Sequence, residues 1–124
     1  MNDRLFRLQR DEPWPALLLP LGVSSRDGVT VDDETVRATF GFWSIETPRS
    51  NVIGAARTET ASWWKAVGLR LSLADDGVTF GSSPRNGVCI EFAERVGPVV
   101  GFRRHSSLWI SVADPDGLVA ELAT

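Results

Sequence analysis

Cys89 and His105 each occur once in this 124-residue chain, and they are the residue types best suited to nucleophilic or metal chemistry. A thiol becomes a useful nucleophile only beside a base or a cation that favours the thiolate. No catalytic signature surrounds Cys89, which sits in the alternating run Val88-Cys89-Ile90-Glu91-Phe92, the setting of a small, partly buried strand residue. His105 follows Arg103-Arg104. Two adjacent cations lower the proton affinity of an imidazole and repel a metal ion, so His105 is expected to be a loop residue. The carboxylates form two short groups, Asp32-Asp33-Glu34 and Asp75-Asp76, the second followed by Gly77. Both lie where hairpins need polar turn formers, and neither has the alternating oxygen ligands and distant bidentate Glu of a calcium loop. The 11 glycines stand singly at turns rather than between a strand and a helix, so no phosphate loop is present. These residues give no catalytic, metal or cofactor site, and a non-enzymatic protein is expected.

Tryptophan is the other unusual feature, with five Trp and no Tyr. Trp43 and Trp109 lie in alternating runs, although Trp109 has the opposite parity to Leu108, Ile110 and Val112 and is expected to face outward. Trp63 and Trp64 cannot both point inward from an extended segment, so at least one is expected at the surface. Residues 93–107 read as the longest connection, with Gly97-Pro98 and Gly101 as breakers, and connections of that length are usually functional or disordered. Val96, Val99, Val100 and Phe102 make this one too apolar for a solvated linker. Packed back, they extend the core; exposed, they form a patch rimmed by Arg103 and Arg104, and rimmed apolar patches mark interaction sites. Trp63, Trp64, Phe102, Arg103 and Arg104 are therefore the candidate partner-binding residues, of the types enriched at interface hot spots.

The elements that position these residues are mostly strands. Hydrophobic content of 43% fills one core, so residues 1–124 are expected to be a single domain, with 1–27 as an N-terminal extension packing on or leading into it. Short alternating runs follow from residue 28: Val29–Val31, Thr35–Phe40 with Val36, Ala38 and Phe40 on one face, Phe42–Thr47, and Val52–Glu59. Residues 60–68 read as a loop or single helical turn. Leu69, Leu71 and Leu73 then pair across Asp75-Asp76-Gly77 with Val78 and Phe80 as a hairpin. Val88–Phe92 and Leu108–Val112 complete the strands, with Cys89 and Glu91 facing away from the core. At the end, Asp114 is a good N-cap, Pro115 suits the first helical position and Asp116 complements the helix dipole. A helix over 115–123 is expected to cover the sheets with Leu118, Val119 and Leu122.

Net charge of −3 and a pI near 5.1 leave no basic footprint for nucleic acid. Arg4, Arg7 and Arg10 before Ala16–Leu21 imitate a signal peptide. Asp3, Asp11, Glu12 and three prolines spoil it, and a cytoplasmic protein is expected. No apolar stretch approaches the ~20 residues of a membrane-spanning helix, so integral membrane association is not expected.

Antiparallel hairpins followed by one capping helix are the arrangement of the pleckstrin-homology (PH) fold. The stretches Trp43-Ser44-Ile45-Glu46-Thr47-Pro48, Arg70-Leu71-Ser72-Leu73-Ala74-Asp75, Gly87-Val88-Cys89-Ile90-Glu91-Phe92 and Val112-Ala113-Asp114-Pro115 resemble a group of uncharacterised bacterial proteins with a PH-like fold. The resemblance covers roughly residues 28–124 and implies a mainly β, partly open antiparallel barrel or sandwich with one C-terminal α-helix. It brings no catalytic residues, and the chain lacks the basic loop cluster with which many PH domains hold lipid headgroups. The function expected is that of a PH-like binding or scaffolding module acting through a protein partner or a homo-oligomer. The alternative is a carrier or sensor of a small apolar ligand, which an enclosed apolar cavity would favour.

Overall fold

The computed structural model describes residues 4–8, 22, 27–58, 68–71, 77–81, 86–96 and 104–123. They form a mostly β protein of two sheets with one C-terminal helix. β1 (Arg4–Arg7), β2 (Gly28–Val31), β3 (Thr35–Phe40) and β4 (Trp43–Pro48) make an antiparallel meander in sequence order. Alternation sets its inner face: Phe6, Val29, Val31, Val36, Ala38, Phe40 and Ile45 are buried, while Arg37, Ser44 and Glu46 are exposed. The β2–β3 turn is fixed by Asp32, whose Oδ1 accepts from the amides of Glu34 at 2.8 Å and Thr35 at 2.6 Å. The acidic group is thus a turn former, as its position predicts. The partner turn at Asp75-Asp76 lies outside the described residues.

The second sheet contains β5 (Val52–Arg57), β6 (Gly68–Leu71), β7 (Gly77–Gly81), β8 (Gly87–Val96) and β9 (His105–Ser111) in the order β5-β8-β9-β7-β6. The expected hairpin is β6–β7, with Leu69 opposite Phe80. The sheet is not wholly antiparallel, which corrects the expected pattern: β9 inserts beside β7 and runs parallel to it. The described ladders keep the sheets separate rather than closing them into a barrel. Their inner faces share one core, where the Phe40 and Phe80 rings stack with centroids 5.4 Å apart.

Two further findings make the sequence reading more specific, and the second corrects it. Residues 4–8 are part of the fold: β1 edges the first sheet, Phe6 and Leu8 are buried, and Leu8 forms an isolated bridge with Val112, just past the end of β9. The supposed 93–107 loop is also shorter, because β8 continues to Val96 and β9 begins at His105. The register shifts between Glu91 and Val96, which pair with Ser107 and His105, so β8 bends away from β9 over this stretch. His105 is a fully buried strand residue, not a loop residue.

Helix α1 (Pro115–Leu122) forms where the caps place it. Asp114 Oδ1 accepts from the Gly117 amide at 3.0 Å, and Pro115 occupies the first turn. Leu118 is fully buried, and Val119 and Leu122 pack against the same core, so the helix lies on β5 and β8. Among the described residues no helix is long and apolar enough to cross a membrane.

Candidate functional site

β5 is the outer strand of its sheet, and among the described residues it pairs only with β8. Val52 lies opposite Phe92 and Gly54 opposite Glu91, so β5 carries one extra residue, Ile53, in a bulge. The bulge turns Ile53 into solvent, where it is 64% exposed. Beyond it the register is regular through Arg57. The Thr58 amide donates to Gly87 O at 2.8 Å. In an antiparallel pair the backbone groups alternate, so Gly54 and Ala56 also turn theirs toward β8, and Ala55 and Arg57 turn theirs outward. Among the described residues no strand pairs with this outer side of β5, which at Gly54, Ala55 and Ala56 is lined with small side chains.

Beside this edge runs an open cleft of about 870 Å³. One wall is Val52–Ala55 of β5; the other is the end of α1, with Val119, Glu121 and Leu122. Arg49, from the 3₁₀ turn that joins the two sheets, fixes its floor. The Arg49 guanidinium donates to Asp32 O at 3.0 Å, to Glu121 Oε2 at 3.0 Å and to the Glu121 carbonyl. That carbonyl is in the last turn of α1, which contains no basic residue of its own, so Arg49 supplies the missing cation at the negative end of the helix dipole. Arg4 reaches Glu121 Oε1 from β1 at 3.1 Å. Hydrogen bonds from Arg49 and then Arg4 hold the Glu121 carboxyl below its ordinary value of 4.5. Deprotonated Glu121 thus ties the first sheet and the turn between the sheets to the helix. The stability it contributes is expected in full above pH 4.5 and to vanish as pH falls through the lowered value. Unfolding of Glu121→Gln and of the unaltered protein by urea, compared from pH 3 to pH 7, should give a gap that closes only at the acid end.

A second cleft, about 480 Å³, lies where β4 meets the bent end of β8. Asn51 joins these elements by pairing with the backbone of Glu94: its Nδ2 donates to Glu94 O at 2.9 Å, and its Oδ1 accepts from Glu94 N at 2.8 Å. Arg104 lines this cleft with Glu46, Glu94 and Arg95, and its guanidinium donates to Arg95 O at 2.8 Å. Of the predicted partner-binding residues, Arg104 is the one the structure places. Trp63, Trp64, Phe102 and Arg103 lie outside the described residues.

Cys89 and His105 do not come together as a pair. Cys89 is half-buried in mid-β8 opposite Trp109, whereas His105 is buried at the start of β9 opposite Val96. Trp109 does face away from the core: its indole N–H donates to Thr58 O at 3.1 Å. Among the described residues no group of three or more His, Cys, Asp or Glu is placed to hold a metal ion. The β5 edge escaped the sequence reading because Gly54-Ala55-Ala56 looks like an ordinary weak strand. Its only local signal is the break in alternation at Ile53.

Both clefts open to solvent between charged side chains, and neither is an enclosed apolar chamber. Comparison of the chain with protein-family models, with curated proteins and with solved structures finds no match.

Proposed function

We infer that this protein is a binding module that accepts an extended protein segment along the outer edge of β5, beside α1. The observation that carries this reading is the outer side of β5 at Ala55, with which no described strand pairs, next to a cleft that contains exposed Ile53. Extended segments add to such edges by main-chain hydrogen bonds, and the adjoining pocket selects side chains. The PH-like resemblance of the sequence, which implies a binding module, points the same way. A carrier of small apolar ligands has less support, because the clefts are open and rimmed by charge.

Selection from a displayed library of random peptides tests the reading. Ala55→Pro removes an outward N–H without touching the ladder to β8, and Ile53→Asp places a charge in the cleft. Peptides that bind the unaltered protein are expected to lose at least ~10-fold in affinity to each folded variant, on the scale of one lost buried contact. Their binding should shift the amide resonances of β5 and α1. Equal affinity for all three proteins, or shifts centred on Arg104 and its cleft, would overturn the assignment.

A further inference from the structure

Asn86 and Gly87 lead the chain into β8, and the backbone around them dictates both residue types. Among the described residues Asn86 is the non-glycine residue with positive φ, +58°, a region that Asn tolerates better than most side chains. Gly87 lies against Trp109 and Thr58, and a Cβ there would overlap the Trp109 ring and the Thr58 carbonyl oxygen. The fold therefore asks for Asn followed by Gly, a pair in which an unhindered backbone nitrogen stands next to a side-chain amide. In the closed structure that pair is clamped. The peptide joining the two residues is held through Asn86 O, which accepts from the Val112 amide at 3.1 Å, and Gly87 O accepts from the Thr58 amide at 2.8 Å. The side chain is held too, since Asn86 Oδ1 accepts from the Arg57 guanidinium at 3.1 Å.

We propose that Asn86-Gly87 is a deamidation site that the fold keeps closed and that reacts when the start of β8 parts from Val112. Ring closure requires the Gly87 nitrogen to swing toward the Asn86 side chain. The planar peptide turns as a unit, so this motion breaks the bond from Asn86 O to Val112. The Gly87 nitrogen, giving its proton to solvent, then attacks Asn86 Cγ; the Cγ–Nδ2 bond breaks, and the amide leaves as ammonia with a proton from water. Water opens the resulting succinimide. Attack at Cγ leaves aspartate at position 86, whereas attack at the main-chain carbonyl leaves isoaspartate, in which the chain runs through Cβ and Cγ. The first product keeps the backbone and adds a charge beside the Arg57 guanidinium. The second inserts a methylene into the main chain where Val112 and Thr58 hold it. Val112 stands just before Asp114, the N-cap of α1, so a chain lengthened at this point loses the register that seats the helix.

Mass spectrometry of the peptide containing Asn86 and Gly87 follows conversion of amide to acid in the full chain held in mildly alkaline buffer. An isoaspartyl methyltransferase counts the isoaspartate. Unfolding in urea is expected to speed conversion at least ~10-fold, because the native pair reacts only from its open form. At urea concentrations below the unfolding midpoint, the native rate should rise in step with hydrogen exchange at the Val112 amide, since one bond limits both. Asn86→Asp carries the new charge without the added methylene. It should keep the protection of Val112 and of the α1 amides, and the isolated isoaspartate form should lose both. Equal rates in native buffer and in urea, or no conversion at Asn86 even in urea, would overturn the proposal. So would a native rate that stays flat while Val112 exchange rises, or an isoaspartate form as well protected as Asn86→Asp.

Discussion

Removing residues 114–124 is expected to take away most of the folding stability of this protein. Leu118 is fully buried, and Val119 and Leu122 pack on the same core over β5 and β8. Losing one buried Leu side chain costs about 2–5 kcal/mol, against a total of about 5–15 kcal/mol for a typical domain. The truncation also strips Arg49 of the Glu121 carboxylate and carbonyl that hold it. Leu118→Ala isolates the packing part and should cost about 3 kcal/mol. Asp114→Ala isolates the cap and should cost about 1 kcal/mol, because the Gly117 amide loses its acceptor. Exposed Ala120 changed to Ser should barely move the urea midpoint. A truncated chain that melts at the temperature of the full one would mean that the helix is an appendage rather than a wall of the core.

The helix was legible in advance because its signals are local. Asp114, Pro115 and Asp116 mark its start within three residues, and the apolar spacing of Leu118, Val119 and Leu122 gives the buried face. The meander was legible for a similar reason. Period-two alternation in Thr35–Phe40 says which side chains go inward, and Asp32 names the turn before it. Residues 93–95 show where such reasoning stops. Ala93, Glu94 and Arg95 are all exposed, so alternation ends at Phe92 although the strand does not. The backbone there is held by Asn51, a residue 43 positions away from Glu94. Nothing local announces that bond.

Strand order is non-local in the same sense. The insertion of β9 between β7 and β8 depends on pairings between distant segments, and a hairpin reading cannot supply it. The candidate groove has the same origin. It exists because Arg49 from the sheet junction meets Glu121 from the last helical turn, which lie 72 positions apart. The sequence therefore pointed toward Arg-rich and Trp-rich segments, which are conspicuous by composition. The structure instead draws attention to an edge made of glycine and alanine, whose importance is geometric.

The N-terminal strand is the clearest case of a hidden element, and one substitution tests how firmly it is held. Arg4-Leu5-Phe6-Arg7-Leu8 resembles the charged start of a targeting segment, yet Phe6 and Leu8 share a parity and both are buried. Its partner Gly28 lies opposite Arg7 at φ +150°, a region that residues with a side chain rarely adopt. A Cβ on Gly28 would stand 2.1 Å from Phe6 O, 2.8 Å from Arg7 Cα and 2.9 Å from Phe6 C. All three are backbone atoms of β1, so no side-chain rotation relieves the overlap; β1 itself must move. Gly28→Ala is expected to cost about 3 kcal/mol or more, combining the backbone strain with partial loss of Phe6 and Leu8 from the core. Gly54→Ala is the matched control, because its nearest neighbour, Glu91 Oε2, is 3.7 Å away. That variant should stay within about 0.5 kcal/mol of the unaltered protein. Urea unfolding gives both values, and hydrogen exchange locates the damage: the amides of β1 and β2 should lose protection in Gly28→Ala, while those of β8 and β9 keep most of theirs. Equal midpoints for the two variants would show that β1 rests loosely on the sheet, and the buried Phe6 and Leu8 would then contribute little to the fold.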